Sequence, residues 1–227
     1  MAEIIYNQDL DQLNSTAVEL LKQAIKTILN QKDSVILAVP GGRSVAGLFS
    51  LIADTAGIDW EKVHIFMVDE RRVGLDDDAS NFKLVKESFG KKILESNLHP
   101  YIFKPENDDD GLGDYEAELK KYGGKYDIII LGVGEDGHTA ALYPNHHSIE
   151  NQSEYYIKFD DSPKPPPQRM TATLNLLKKS DYAFALFLGE GKKQAFENYK
   201  NQGLSIKECP SKLIDEIKNS YVITDLK

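Results

Sequence analysis

Apolar residues near the start of the chain recur at intervals of three and four, the spacing that gives an α-helix one hydrophobic face. In the stretch 10–29 these positions are Leu10, Leu13, Ala17, Leu20, Leu21, Ala24, Ile25 and Ile28. Short continuous apolar runs follow at 34–39 (SVILAV), 63–68 (VHIFMV) and 127–131 (DIIIL). Such runs, when turn residues bound them, are typical of strands buried in a parallel sheet.

The rest of the chain continues this alternation of helical and strand patterns. Helices are predicted at about 44–53, 78–89, 114–122, 191–201 and 210–217, and strands at 170–174, 182–188 and 221–223. The alternation predicts right-handed crossovers and an α/β fold. We therefore expect an open, mostly parallel, twisted sheet with helices on both faces, a Rossmann-like, doubly wound architecture. The proline-rich stretch 162–167 is short and lies between similar elements, so residues 1–227 are predicted to form one domain.

Composition narrows the classes of partner. The formal net charge is −9, which disfavours binding to nucleic acid or to an anionic membrane, whereas a small anionic substrate needs only a local group of cations. Cys209 is the single cysteine, so no intramolecular disulfide can form. The first residues lack the basic and apolar segments of a signal peptide, and no apolar run is long enough to span a bilayer. We expect a cytoplasmic protein.

Ligands of open parallel sheets bind outside the carboxyl ends of the strands, and three loops in that position are unusual. The first is 40–44 (PGGRS). Gly41 and Gly42 let the backbone approach a ligand closely, Ser44 can cap the next helix, and Arg43 adds a charge. These features predict a phosphate cradle at a helix N-terminus. An ordinary strand-to-helix turn explains the glycines equally well, and the Gly-Lys-Ser/Thr of a Walker A loop is absent.

The second loop places Asp69, Glu70, Arg71 and Arg72 directly after the predicted strand 63–68. Charged side chains at the exit of a buried strand are costly unless they find partners. A solvated charged loop is the common alternative, but this position favours a functional site.

The third loop, 132–138 (GVGEDGH), spells G-x-G-x-x-G. We reject a dinucleotide site because the motif lies mid-chain, because Pro144 limits the following helix to about one turn, and because Glu135 and Asp136 would meet the pyrophosphate. What remains is a loop that presents Asp136 and His138. Imidazole groups can act as general bases near neutral pH when a carboxylate orients them. An isolated histidine is more often structural, but the glycine-rich turn favours catalysis.

Two further basic residues follow segments rich in proline or glycine. Arg169 comes after three prolines, and Lys192 follows Gly-Glu-Gly at a predicted helix N-terminus, although each could be a plain surface charge. Motifs for a nucleophilic serine (G-x-S-x-G) and for a metalloprotease (H-E-x-x-H) are absent, and the remaining histidines lack metal-ligand spacing with cysteine. We expect no metal site, a loop-exposed His146–His147 pair and a structural Cys209, which leaves attack by water with general-base help.

These loops, in this order, resemble the glucosamine-6-phosphate isomerase/6-phosphogluconolactonase family, and within it the lactonases. The matching segments are 41–44, 69–71 with 80–81, 131–144 (LGVGEDGHTAALYP), 163–166 with Arg169 and Thr171, and 189–192. They span nearly the whole chain, and the segment DGHTA followed by proline is the most specific. Val45 stands where many members carry proline, a change with little expected effect.

The resemblance implies hydrolysis of 6-phospho-D-glucono-1,5-lactone to 6-phosphogluconate in the oxidative pentose phosphate pathway, without a cofactor. It suggests His138 as the base, Asp136 as the group that orients it, Arg71 as oxyanion stabiliser or phosphate ligand, and Asp69 as a positioning group. The suggested phosphate ligands are Gly41, Gly42, Arg43, Ser44, Arg169 and Lys192. We expect a monomer.

Two alternatives remain open. Glucosamine-6-phosphate deaminases share the fold, but they typically carry Asp-Glu-Tyr at 69–71 and Asn-Glu-Pro where this chain has Leu142-Tyr143-Pro144, so their ring-opening glutamate has no counterpart. The second is a non-catalytic sugar-phosphate sensor, as in related effector domains of transcription regulators. Those proteins attach a helix-turn-helix segment, for which this chain has no room.

Overall fold

Two β-sheets organise the part of the chain, residues 1–89 and 92–227, that this computed structural model describes. The strands are β1 (Glu3–Tyr6), β2 (Val35–Val39), β3 (Val63–Met67), β4 (Asp69–Arg71), β5 (Leu98–His99), β6 (Ile128–Gly132), β7 (Tyr156–Phe159), β8 (Arg169–Ala172), β9 (Tyr182–Phe187) and β10 (Asn219–Thr224). Seven form a sheet of order β1-β10-β9-β6-β2-β3-β5, and three form a sheet of order β4-β8-β7. Pairing is parallel in the large sheet and antiparallel in the small one.

Helices connect these strands. The α-helices are α1 (Leu10–Leu29), α2 (Arg43–Asp54), α3 (Asn81–Phe89), α4 (Leu112–Lys121), α5 (His147–Glu150), α6 (Leu174–Lys178) and α7 (Lys193–Lys200). Short 3-10 helices cover Trp60–Lys62, Glu95–Asn97, Glu190–Lys192 and Pro210–Glu216. Among the described residues, no helix has both the length and the hydrophobicity to cross a membrane. The side chains of Arg43, Ser44 and Ala46 lie outside the described part of the structure.

The alternation of side chains along the central strands builds a core on each side of the large sheet. In β2, Ile36 and Ala38 pack with side chains of α4 and α7, whereas Val35, Leu37 and Val39 pack with those of α1, α2 and α3. Both faces are covered by helices, which explains why the strands are apolar throughout. The predicted α/β fold is confirmed.

Helix α1 has the predicted bounds, and the Asp9 side chain caps it by accepting hydrogen bonds from the amides of Asp11 and Gln12. Elements without a long apolar pattern were harder to predict. The short strands β1, β5 and β7 were missed, and the predicted helix 210–217 is a 3-10 helix. Asp69–Arg71, predicted as a loop, is strand β4, because it pairs with β8.

The direction of the crossovers changes between β2 and β6. After β2 the chain adds β3 and β5 on one side, and it then returns to add β6 on the other. The loops after these two neighbouring strands therefore diverge at the carboxyl edge of the sheet and leave a crevice, which is where such folds bind ligands.

Two neighbouring histidines on strands β3 and β5 of the large sheet predict that the folded state is sensitive to acid. His64 Nδ1 lies 2.9 Å from His99 Nε2, and His99 Nδ1 lies 3.0 Å from Glu118 Oε1. Burial, together with the charge of His64, lowers the pKa of His99 to about 4, although Glu118 opposes the shift. Protons then bind more readily to the unfolded chain, where histidine titrates near pH 6.5.

We expect the free energy of unfolding to be steady above pH 6.5 and to fall, by up to ~3 kcal/mol from His99, as the pH drops toward 4. Urea unfolding at several pH values measures this slope. His99→Gln should flatten it, and an unchanged slope in that variant would contradict the assignment.

Candidate active site

The glycine turn after β2 forms one wall of the crevice. Gly42 has φ +102° and occupies the N-cap position of α2, so the helix begins one residue before Ser44, the cap that the sequence predicted. A side chain at Gly41 would overlap the Asn81 amide, so glycine is required there. The predicted phosphate-binding side chains of Arg43 and Ser44 fall outside the described residues.

The small sheet brings two arginines together. In the antiparallel register Arg71 of β4 is directly opposite Arg169 of β8, and Asp69 is opposite Thr171. Arg169 is only 4% exposed, and its Nη2 donates to the carbonyl oxygens of Pro165 (3.0 Å) and Lys164 (3.3 Å). The Nη1 of Arg71 donates to the Ala79 carbonyl. Arg169 thus lies within a strand, not in a loop after the prolines.

These two guanidinium groups keep unused donors. The Nε atoms of Arg71 and Arg169 are buried and have no hydrogen-bond partner among the described residues. Burial lowers the pKa of Arg169, while the Asp69 carboxylate opposes that shift. Burial likewise raises the pKa of Asp69 against the charges of Arg169, Arg71 and His138. One carboxylate faces two arginines, so the site has a surplus of positive charge that an anion would neutralise.

Glu70 supports this site from behind. Its buried carboxylate accepts hydrogen bonds from the amides of Arg71, Asn81 and Phe82, each at 2.7 Å, and from the Ser80 hydroxyl at 3.1 Å. It thereby fixes the N-terminus of α3 against β4. The remaining charge of the predicted loop, Arg72, forms ion pairs with Asp110 and Asp160. Glu70 and Arg72 are structural, whereas Asp69 and Arg71 face the crevice.

The loop after β6 carries an imidazole–carboxylate pair. His138 Nδ1 lies 2.5 Å from Asp136 Oδ1, which also accepts the His138 amide at 3.2 Å. Burial alone raises the pKa of Asp136, but the hydrogen bond and charge of His138 outweigh it and hold that pKa well below its usual range. In the neutral ring that donates its Nδ1 proton to Asp136, Nε2 carries the lone pair with which an imidazole acts as a base.

Hydrogen bonds within the loop fix this pair. The Gly134 amide donates to the His138 carbonyl (2.8 Å), and the Gly137 amide donates to the Gly134 carbonyl (3.0 Å). Gly137 has φ +87°, which glycine adopts without strain. Isolated β-bridges at Thr139 continue the chain beyond His138, so the short helix predicted to follow directly is absent.

These groups meet in one pocket of about 250 Å³. The predicted residues that line it are Gly41, Gly42, Asp69, Arg71, His138, Arg169 and Lys192. Asp136 lies behind His138 as its hydrogen-bond partner. The pocket therefore unites loops from β2 and β6 with both strands of the arginine pair.

Comparison with known proteins identifies the family of this chain. Residues 8–223 match the family described as glucosamine-6-phosphate isomerases/6-phosphogluconolactonase. The chain belongs to this family. It is 34% identical to a 6-phosphogluconolactonase of Borreliella burgdorferi, over 84% of this chain and 83% of that one, and 32% identical to the 6-phosphogluconolactonase of Mycobacterium tuberculosis, over 82% and 81%. The crystal structure of 6-phosphogluconolactonase from Thermotoga maritima superposes with a TM-score of 0.84 at 25% identity, with both chains fully covered.

Sequence reasoning missed three polar residues that line the pocket of this family member. They are Asn81, Tyr143 and Lys164. Lys164 Nζ lies 3.8 Å from Asp136 Oδ2, and the Tyr143 ring lies 4.8 Å from the His138 ring. All three fall inside segments that carry the family resemblance, which was the signal available for them.

Gly134 provides a test of the loop geometry. A Cβ at this position would overlap the His138 ring. We expect Gly134→Ala to displace the imidazole and to reduce kcat roughly 100-fold, because catalysis is sensitive to shifts of about 1 Å. Steady-state kinetics measures the loss, and Gly47→Ala, where a Cβ has open space, serves as the control. Normal turnover in Gly134→Ala would show that the ring position is not critical.

Proposed function

We propose that the protein hydrolyses 6-phospho-D-glucono-1,5-lactone to 6-phospho-D-gluconate, the lactonase step of the oxidative pentose phosphate pathway. The observation that carries the proposal is the pocket itself, which is lined by an oriented imidazole and by two arginines, one of them buried. A lactone with a phosphate at its other end needs both features.

The arginine pair and Lys192 form the phosphate-binding side of the pocket. Arg71, Arg169 and Lys192 place positive charge around the Asp69 carboxylate in the lining of the pocket. This excess of cations favours a phosphate dianion. Guanidinium groups suit phosphate because their donors form parallel hydrogen bonds with its oxygens. The backbone of Gly41 and Gly42, at the N-terminus of α2, adds room for close approach and a favourable helix dipole.

His138 supplies the base on the other side. Its Nε2 takes a proton from water as the water oxygen bonds to the lactone carbonyl carbon. The resulting oxyanion is stabilised by a hydrogen-bond donor close to that carbon. When the bond from that carbon to the ring oxygen breaks, the imidazolium returns the proton to the departing oxygen. Asp136 holds the imidazole and stabilises its charged form. A lactone is an activated ester, so the reaction needs no cofactor.

The deaminase alternative is less consistent with the pocket. At position 143, where deaminases carry the ring-opening glutamate, this chain has a tyrosine whose hydroxyl accepts a hydrogen bond from Ser162 at 2.9 Å. A phenol cannot replace a carboxylate as a base near neutral pH. A non-catalytic sensor has no use for an aligned His138–Asp136 pair.

The test is to generate the lactone in situ by oxidising glucose 6-phosphate with its dehydrogenase. Lactone loss above the spontaneous rate supports the proposal, and ammonia release from glucosamine 6-phosphate would instead support a deaminase. Binding of 6-phosphogluconate without turnover of either compound would indicate a sensor.

Comparing Lys192 with its neighbour Lys193 tests whether Lys192 binds the phosphate. Lys192 lines the pocket, whereas Lys193 is exposed and does not. We expect Lys192→Met to raise KM about tenfold, through the loss of one charged contact with phosphate, and Lys193→Met to leave KM unchanged. Initial rates over a range of lactone concentrations measure both. Equal KM values for the two variants would exclude Lys192 from phosphate binding.

We also propose that the protein acts as a cytoplasmic monomer with one domain of residues 1–227. The single cysteine is buried and free, which fits the reducing environment of the cytoplasm. Light scattering in solution tests the oligomeric state.

A further inference from the structure

A second group of ligand-type side chains lies outside the pocket. His146, His147 and Asp161 each offer one atom, and these atoms all lie within 4.8 Å of one another. His146 is the N-cap of α5, His147 begins that helix, and Asp161 lies just beyond β7. No other such group occurs among residues 1–89 and 92–227.

The hydrogen bonds of the group leave one nitrogen unused. His147 Nε2 contacts both Asp161 oxygens, at 2.9 and 3.1 Å. His146 Nδ1 accepts the Ser148 amide at 3.2 Å and lies 2.9 Å from the Ser148 hydroxyl. His146 Nε2 is buried and makes no hydrogen bond with any described residue, although Asp161 Oδ1 lies 3.4 Å away. The hydrogen bonds with Asp161 explain the position of His147. They leave the buried Nε2 of His146 without a hydrogen-bond partner among the described residues, which is unusual for a buried polar atom.

We propose that His146, His147 and Asp161 bind a divalent transition-metal ion of the zinc type. Two imidazole nitrogens and a carboxylate oxygen form a typical donor set for such an ion, with further positions left for water. The carboxylate and the two neutral rings sum to one negative charge, which favours a dication. The ion would bind Nε2 in the tautomer of His146 that carries its proton on Nδ1, so the bond from the Ser148 amide is exchanged for one to the Ser148 hydroxyl.

The distances require only small side-chain rotations. Ligand atoms around a tetrahedral zinc ion lie roughly 3.4 Å apart. Asp161 Oδ1 already lies 3.4 Å from His146 Nε2 and 2.9 Å from His147 Nε2. His147 and Asp161 are more than half exposed and free to adjust, while His146 is held by Ser148. With metal on Nε2, the His146 ring can donate its Nδ1 proton to the Ser148 hydroxyl, a usual arrangement for ligating histidines.

The ion would join two segments that border the active site. Asp161 precedes Ser162, whose hydroxyl contacts Tyr143 and whose amide donates to the Pro167 carbonyl. The enclosed turn supplies the carbonyls that hold Arg169. Metal binding would therefore tie α5 to residues 160–168.

Titration of the metal-free full-length protein with ZnCl₂ in a non-chelating buffer tests this site. Isothermal calorimetry should give one site per chain with a micromolar Kd. We expect His147→Gln and Asp161→Asn, both of exposed side chains, to weaken binding at least tenfold. Asp160→Asn is the matched control, because the adjacent Asp160 pairs with Arg72 instead. A His138→Gln variant removes the other histidine–aspartate pair and should leave Kd within twofold.

Hydrogen–deuterium exchange gives an independent reading. Zinc should slow exchange in residues 160–168 of the wild type and of Asp160→Asn, but not of His147→Gln. The proposal is overturned if the wild type binds zinc no more tightly than His147→Gln and Asp161→Asn, or if His138→Gln alone abolishes binding, since the ion would then belong to the catalytic pocket.

Discussion

Replacing His138 by glutamine is expected to reduce kcat by a factor of 10² to 10⁴, the usual contribution of a general base. Glutamine has a similar size and can still hydrogen bond to Asp136, but it cannot take a proton from water. Because the arginine pair remains intact, binding of the product 6-phosphogluconate should persist. Enzyme kinetics with in situ lactone and calorimetry with the product measure the two effects separately.

The neighbouring carboxylate gives a graded companion to this experiment. Asp136→Ala should lower kcat less than His138→Gln, because the ring remains but its orientation and its charged form lose support. His64→Gln is a suitable control, since that ring lies near β5 and outside the pocket. Near-normal turnover of His138→Gln would refute the assignment of the base.

Replacing Arg169 by methionine is expected to raise KM by roughly 100-fold, because truncating one partner of a buried charged contact costs about 2–5 kcal/mol. The substitution removes a 4% exposed guanidinium that points at the proposed phosphate site and leaves Asp69 with one arginine fewer. Arg169→Lys should recover only part of the loss, because an ammonium lacks the planar pair of donors. Steady-state kinetics gives KM for both variants.

A folding control is needed because Arg169 is buried. Arg72→Met removes another largely buried arginine, but one whose ion pairs with Asp110 and Asp160 lie outside the pocket. It should lower the unfolding temperature and leave KM close to the wild-type value. If Arg169→Met changes only thermal stability, as Arg72→Met should, the phosphate assignment is wrong.

The central strands of the large sheet could be predicted from the sequence because they are apolar throughout. Runs such as 35–39 and 128–131 are buried on both faces, so local hydrophobicity identified them. In the small sheet only the central strand β8, predicted at 170–174, gave such a signal. The strand Asp69–Arg71 is wholly charged, and its stability depends on pairing with residues about a hundred positions away in the chain, which no local pattern reveals.

In the site, too, contacts between residues that are close in the sequence could be predicted, whereas contacts made by the fold could not. His138 and Asp136 are neighbours in the chain, so their pairing followed from spacing. The opposition of Arg71 and Arg169 depends on tertiary register, and so does the support from Glu70. The loop 69–72 looked uniform in sequence, yet the fold assigns two of its charges to structure and two to the pocket. The proposed metal ligands His146, His147 and Asp161 could not be predicted as a group either, because only the fold brings Asp161 to the two histidines.

The base follows a strand of the large sheet, and the arginine pair lies in the small sheet. Val68 joins the two sheets, because its amide donates to the carbonyl of Val39 in β2 at 3.0 Å and its carbonyl accepts the amide of Ala172 in β8 at 2.8 Å. The distance between the His138 imidazole and the two guanidinium groups therefore depends on how the two sheets are held together. The pocket can therefore select lactones by their length. Lactones whose ester carbon and terminal anion are the matching distance apart should react, whereas shorter or longer analogues should react slowly even when they bind.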